Sequence, residues 1–436
     1  MPTKKIYINT FAQIFSKILT ALISIGMIKI LTNYLDIEWY GVYSKIYNYL
    51  SIFSVIADLG LYTITVRELS KHKDDREMIE KISGNVLTLR TLSGIGICFL
   101  SVGLAPFLSW YNSPWAMIGI IIVSLFTLFG LINSSLLSYL QATLRTEFTV
   151  ISNTSGKLLT FWMILAFSSV LFPVSSGITE TNKLIFIFLA GLAGNILMTS
   201  LTYWYANRFQ KIRFHFDFSY IKHILIISLP YGFALFLGAI SFKIDVILLS
   251  LMENPTIADK AIALYSLPMK IVEVGMMYGT IFLNSLLPVL THAIEKEDTK
   301  KIHSLTRHTF FLLGIGGICA SSILYFFAPF IIRIISTKEY LHESLFGYSA
   351  IDAMQVVAFI FLFYFLSSFF AYVMIARGEQ KKMIYVNIWV ALANIIGNLL
   401  FIPMYSFIGS AYVTLITQGI LVLLTYWYVR KDIKIL

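Results

Sequence analysis

The feature that most limits what this chain can fold into is a succession of long apolar runs, each close to the length that crosses a bilayer. A hydrocarbon core of about 30 Å takes about 20 helical residues. Lipid offers no hydrogen-bond partners, so each run must satisfy its own backbone as a helix. The runs cover approximately 10–34, 40–66, 82–107, 116–140, 148–171, 184–207, 224–251, 261–290, 309–335, 351–375, 384–401 and 407–428. They predict an all-α, polytopic membrane protein with twelve transmembrane helices. Composition agrees, with 58% of the 436 residues hydrophobic and 13% charged, against about 25% charged in soluble domains. That balance excludes a cytosolic enzyme, a disordered chain and a nucleic-acid binder, despite a net charge of +10. The first run follows Lys4 and Lys5, is too long for a cleaved leader, and is expected to be retained.

Charge placement orients the chain. Of the 33 Lys and Arg residues, 22 fall on the same side as the N-terminus, and only Lys183, Lys260 and Lys338 lie in loops on the other side. Positive loops stay cytoplasmic, so both termini are expected inside, in the cytoplasmic (inner) membrane. Lys73, Lys300 and Lys381 should be reachable from within, and Lys183 and Lys338 from outside.

An internal repeat sits at half the chain length. Leu201-Thr202-Tyr203-Trp204-Tyr205 recurs as Leu424-Thr425-Tyr426-Trp427-Tyr428, and Ala105-Pro106-Phe107 as Ala328-Pro329-Phe330, both at an offset of 223. Tyr43-Ser44 recurs as Tyr265-Ser266 at 222. Two halves are expected, 1–213 and 214–436. With six spans each they enter the membrane in the same direction, giving two parallel-repeat six-helix bundles around a central cavity, the arrangement of one class of secondary transporter. Pro230, Pro268 and Pro288 fall within spans seven and eight, where a missing backbone donor marks either a movable helix or a static kink.

Eight basic residues lie inside spans, where each costs about 2.5–3.5 kcal/mol on insertion scales. Lys29 and Lys45 on spans one and two correspond through the repeat to Lys243 and Lys270 on spans seven and eight. With Lys17 they are the candidate lining of a cationic cavity, and Arg90 and Lys157 are secondary candidates. Lys29 lies near its helix end, so snorkelling explains it equally well. Asn9 and Gln13 share a polar stripe with Lys17, Thr20 and Ser24 at helical spacing, and Asn48 lies on another with Ser44, Ser51 and Asp58. The Asn387, Asn394 and Asn398 row of span eleven could equally bond neighbouring helices. Asp58, Asp245 and Glu273 are the acidic candidates for pairing or ion coupling. Glu273 can pair with Lys270 one turn away. Lys243 and Asp245, about 200° apart on a helix at 3.6 residues per turn, must face different neighbours, with a basic partner expected if Asp245 is buried.

Several chemistries find no support. No GxxxxGK[ST] phosphate loop is present, so direct use of ATP is not expected. The seven histidines sit in loops or at helix ends without ligand spacing, and Cys98 and Cys319 lie in apolar runs, so no metal and no cofactor is expected. Outer loops are short, which weighs against a membrane-embedded glycan polymerase or ligase.

Taken with the length and the half-repeat, several residues carry a resemblance. These are Asn9 on the first span, Tyr40-Gly41-Val42-Tyr43 entering the second and Gly60-Leu61 near its end. In the second half they are Leu229-Pro230, Ile244-Asp245, and Tyr265-Ser266 followed by Lys270 and Glu273. The chain resembles the polysaccharide-repeat-unit (O-antigen) flippases of the multidrug/oligosaccharidyl-lipid/polysaccharide exporter superfamily. The resemblance implies a non-enzymatic flippase that moves a polyprenyl-pyrophosphate-linked oligosaccharide to the outer leaflet for polysaccharide biosynthesis. Its implied partners are that lipid-linked sugar, membrane lipid, a glycan polymerase and glycosyltransferases. A cation-coupled exporter of the same superfamily is the alternative within transport, and a glycan polymerase or ligase the alternative from another class.

Overall fold

The structure, a computed structural model, describes residues 2–72, 75–108, 111, 113–173, 177–342 and 345–430; side chains are not described at 2–16, 278, 281, 284, 285, 288 and 380. The expectations resting on Lys73 and on the side chains of Asn9, Gln13 and Pro288 therefore lie outside the described residues. The first half folds as α1 (Pro2–Tyr34), α2 (Ile37–Asp58), α3 (Leu61–Lys71), α4 (Arg76–Leu104), α5 (Pro114–Ala142), α6 (Thr146–Ala166) and α7 (Glu180–Phe209). It continues with α8 (Phe218–Met252), α9 (Pro255–Glu295), α10 (Thr299–Phe326), α11 (Ala328–Ile335), α12 (Glu339–His342), α13 (Ala350–Ala358), α14 (Ile360–Ala376) and α15 (Gln380–Val429). Among the described residues there is no strand, only the isolated bridge between Leu345 and Tyr348.

Among the described residues ten helical stretches are long and apolar enough to cross a membrane, against the twelve expected from the sequence. The difference lies in two helices. The 41-residue α9 is outside the ten. The 50-residue α15 counts once, yet a straight helix of that length would span about 75 Å at 1.5 Å per residue, far beyond a bilayer core. Pro403 removes a backbone donor inside it, and Ser406 is non-helical at φ 53° and ψ −137°. The chain then doubles back: a Cβ on Gly409 would lie 2.6 Å from the Phe401 carbonyl, and one on Gly397 2.8 Å from Val413. Those contacts pair residues symmetrically about position 405, so α15 is a helical hairpin supplying two passes. The second arm of α15 and α9 are thus the two stretches by which the sequence expectation exceeds the ten.

Local chemistry sets the other boundaries. Span two is broken between α2 and α3, where Leu59 (φ 45°) and Gly60 (φ 69°) adopt left-handed backbone, the usual stop for a helix. Asp75 and Asp298 cap α4 and α10 by accepting the Met78 and Lys301 amides, each at 3.0 Å. Each cap satisfies one of the donors a helix start leaves open.

The chain divides into two compact units, 1–236 and 237–436, with the division inside α8. In the first unit, buried Leu69, Ile82, Leu136, Leu140 and Ala206 join α3, α4, α5 and α7. The start of α8 belongs to this unit through Ile224 against Leu61, Ile64 and Val86. Asp217 holds that start in place: its carboxylate takes Lys81 Nζ at 2.8 Å and the Tyr220 amide at 3.1 Å, and its own amide donates to Asn85 Oδ1 at 2.6 Å. In both units the usual arrangement of polar and apolar groups is reversed. Phe99, Trp389 and Leu423 are exposed, whereas Arg90, Asn85, Asn394, Asn398 and Gln418 are fully buried. Apolar surface facing outward and polar groups between helices is what lipid as solvent demands.

Candidate functional site

In the C-terminal unit a three-residue ion cluster joins α8 and α9. Lys270 and Glu273 stand one turn apart on α9, and Lys243 reaches across from α8. Each lysine takes one oxygen of the same carboxylate, Lys243 at 2.5 Å on Oε1 and Lys270 at 3.0 Å on Oε2. The side chains keep 21%, 33% and 28% of their exposure for Lys243, Lys270 and Glu273. The cluster is thus reachable and carries one surplus positive charge. Glu273 was expected to pair with Lys270; its simultaneous hold on Lys243 needs the approach of α8 to α9, which no spacing within one helix reveals.

Asp245, two residues from Lys243, reaches other partners. It is fully buried. Its Oδ2 accepts from the Tyr265 hydroxyl and from Thr414 Oγ1 at 2.6 Å, and its Oδ1 accepts from Asn398 Nδ2 at 2.8 Å. Asn398 in turn bonds Asn394 Oδ1 at 3.2 Å, and Asn394 donates to the Ser241 carbonyl at 3.4 Å. The basic partner expected for a buried Asp245 is absent among the described residues: hydroxyls and an amide hold the carboxylate instead. On the same hairpin, Asn398 Oδ1, Ser410 Oγ and both polar atoms of Gln418 are buried without a hydrogen-bond partner among the described residues. Since buried polar atoms are nearly always paired, a carboxylate flanked by idle acceptors is chemically suited to a proton or a small cation. The Asn row of span eleven thus supplies this cage through Asn394 and Asn398.

The N-terminal unit treats its cations differently. Lys45 is 2% exposed, with its ammonium 5.8 Å from the Tyr111 ring centre and 6.0 Å from Trp115, within cation–π range. Lys29 is exposed beside a hollow lined by Asn33, Tyr34 and Ser168. Lys17 is half-buried, and Lys157 is exposed on α6. Asn48 is buried and donates to the Ser44 carbonyl of its own helix at 2.8 Å. Arg90 is fully buried and bonds Asp58 at 2.6 Å, at the floor of a hollow of about 440 Å³ that also takes in Ser54 and Ser134. Lys183 differs from its expected place in an exposed outer loop. It lies in the first turn of α7, 4% exposed, bonded to Glu180 and to the Tyr34 carbonyl at 3.2 Å.

A multi-pass, all-helical chain with ionisable residues grouped inside its helical units has the build of a membrane transporter. It shares its fold with an inward-facing multidrug transporter of the MATE family, at TM-score 0.74 and 12% identity over 94% of this chain and 97% of that one. It also shares it with the lipid II flippase MurJ in an inward closed conformation, at 0.73 and 16% identity over 97% and 87%. Residues 6–294 match the family described as "Polysaccharide biosynthesis protein", and residues 230–400 match MatE. The chain belongs to the polysaccharide biosynthesis protein family. A capsular polysaccharide biosynthesis protein CapF of Staphylococcus aureus is 23% identical over 232 residues, 53% of this chain and little more than half, 56%, of that protein.

Proposed function

We propose that this membrane transporter is a flippase that carries a polyprenyl-pyrophosphate-linked oligosaccharide from the inner to the outer leaflet of the cytoplasmic membrane. It works by alternating access, as a carrier and not as an enzyme. The observation that carries the reading is the Lys243–Glu273–Lys270 cluster, which is reachable and has one positive charge in excess. A pyrophosphate cannot enter hydrocarbon unpaired, because burying an isolated ion costs tens of kcal/mol by Born estimates. Fixed ammonium groups within the helical units offset that cost, with Lys29 as the exposed contributor on α1. The same surplus disfavours an exporter of organic cations, for which the cluster's sign is wrong.

Asp245 and its hydroxyl and amide cage serve as the ion-coupling element in this reading. The repeat halves 1–213 and 214–436 are the units whose rearrangement alternates access, with both termini cytoplasmic. Glycosyltransferases supply the substrate and a glycan polymerase consumes it.

Complementation of a host lacking its own flippase tests the reading. Lys243→Ala and Lys270→Ala should each abolish surface glycan at near-normal protein abundance, Lys270→Arg should partly restore it, and drug sensitivity should not change. Full surface glycan from both alanine variants rejects the reading. Single-cysteine labelling of position 300 from inside and position 338 from outside checks the orientation.

A further inference from the structure

The C-terminal unit has a hollow whose residues are separate from those of the ion cluster and the Asp245 cage. It has a volume of about 260 Å³, and Tyr325, Tyr348, Asp352, Gln355, Phe359 and Tyr412 contribute to its walls. Tyr348 lies in the turn that precedes α13, and Phe359 follows its last residue. Tyr325 is the second-last residue of α10, Asp352 and Gln355 lie in the first two turns of α13, and Tyr412 follows the Ser406 break of α15 by six residues. Tyr325, Asp352 and Gln355 thus set the hollow where the candidate span Thr299–Phe326 ends and the span Ala350–Ala376 begins, the end of those spans that would meet the membrane–water boundary.

Its walls are fixed in place. Tyr348 is presented by a two-residue turn with both central residues in left-handed backbone, Phe346 at φ 55° and Gly347 at φ 82°. The turn is closed by paired bonds between Leu345 and Tyr348, each 3.0 Å. A bulky residue at such a φ is a genuine outlier, and strain of that kind gathers at functional sites. Asp352 is locked by a capping box in which its Oδ2 accepts from the Ser349 amide and hydroxyl, both at 2.7 Å. The rings of Tyr325 and Phe359 lean on each other at 5.6 Å between centroids. The three tyrosine hydroxyls, the Gln355 amide and Asp352 Oδ1 have no hydrogen-bond partner among the described residues.

We infer that this hollow is a sugar-binding subsite, taking a neutral hexose or N-acetylhexosamine ring of a lipid-anchored glycan. Aromatic faces suit the C–H faces of a pyranose, while idle hydroxyls, an amide and a carboxylate oxygen suit its ring hydroxyls. The boundary position suits a sugar whose lipid remains in the bilayer, since its proximal ring is held at headgroup depth. Asp352 disfavours hexuronic acids by like-charge repulsion. An interfacial aromatic belt places tyrosines at this depth too, but a belt explains neither the concavity nor the locked acid and amide among them. This assignment rests on the flippase reading for its ligand's origin and not for the binding chemistry.

The test uses the full chain in lipid nanodiscs and ligand-observed saturation-transfer NMR with free hexoses, N-acetylhexosamines and hexuronic acids. Saturation transfer to a neutral ring, weaker transfer to hexuronic acids, and about a tenfold weaker affinity in Gln355→Ala or Tyr412→Ala are expected, about the worth of one hydrogen bond or stacking contact. Unchanged spectra in both variants, with wild-type helicity and thermal stability, overturn the subsite. So does an absence of transfer to every sugar, or a preference for hexuronic acids. The two proposals fail separately: Lys270→Ala should lose surface glycan yet keep this sugar binding. Sugar binding in a protein whose cluster variants export normally retains the hollow and removes the flippase.

Discussion

The ion cluster of α8 and α9 and the intramembrane lysines of α1 and α2 begin from the same residue type and end in different chemistry. Lys270 and Lys45 are each followed by an isoleucine, but three residues on stands Glu273 in one and Asn48 in the other. Glu273 draws Lys243 and Lys270 together at a partly exposed position. Asn48 can bond only locally, to Ser44 of its own helix, and Lys45 is packed away beside Tyr111 and Trp115. Two residues after Lys243 stands Asp245, and two residues after Lys29 stands Leu31. The C-terminal unit thus sets two lysines on one acid, whereas in the N-terminal unit Arg90 holds Asp58 and Lys45 lies among aromatic rings. An acid in membrane is retained where it holds a cation or a proton, and a neutral or apolar residue suffices where it does not.

The largest effect that would break this contrast is at Glu273 itself. Glu273→Ala leaves Lys243 and Lys270 facing each other without a counter-charge. Removing one partner of a buried pair costs about 3–5 kcal/mol, and the partial exposure here places the loss at the low end. Asn48→Ala forfeits one local bond, about 0.5–1.5 kcal/mol. Membrane-inserted protein and thermal unfolding in detergent should separate them clearly; equal losses would mean that the halves are energetically alike.

Next in size is Asp245. Asp245→Asn keeps the shape and partial hydrogen bonding of the cage, so folded protein should remain near normal while export stops. Asp245→Ala also strands Tyr265, Thr414 and Asn398 and should lower abundance, by about 1–3 kcal/mol for an orphaned buried donor. Export by Asp245→Asn at the wild-type rate would remove the ion-coupling role.

A smaller difference is expected between the matched lysines. Lys45→Met keeps an apolar stem among the aromatics and should leave export largely intact, losing a cation–π contact of about 0.5–2 kcal/mol. Lys270→Met should stop export while abundance stays close to wild type, because Lys243 still neutralises Glu273. Loss of export from both would return Lys45 to the substrate path.

The smallest effect lies outside the membrane, at the start of α8. The Lys81 ammonium and the Tyr220 amide hold the Asp217 carboxyl below its ordinary value of 3.8. A depressed carboxyl contributes its stability above the unfolded value and loses it as pH falls through the lowered folded value. Hydrogen exchange at the Tyr220 amide should therefore accelerate only below about pH 4, and Asp217→Asn should remove that pH step.

Much of this molecule was legible in one dimension, because membrane helices announce themselves by length and polarity. The apolar runs located the ten helical stretches that can cross a membrane among the described residues, including both arms of α15. Lys270 and Glu273 could be paired from their spacing, since neighbours one turn apart share a face whatever surrounds them. Lys183 was misplaced because charge alone reads as loop, whereas a lysine with Glu180 one turn earlier can be carried into the first turn of α7. The sugar-sized hollow left no signal, as its six residues come from four separate segments and each is an ordinary interfacial aromatic or polar residue taken singly.

The sequence by itself determined the solvent and the secondary structure, both properties that depend on composition and period along one chain. Only the tertiary structure decided which charges are used. It joined Lys243 to Glu273 across two helices, enclosed Asp245 with Tyr265, Asn398 and Thr414 from two others, and buried Lys45 among rings. The reason is physical: inside lipid the cost of a charge is set by which groups lie within a few ångströms of it, and those neighbours come from distant segments brought together by helix packing.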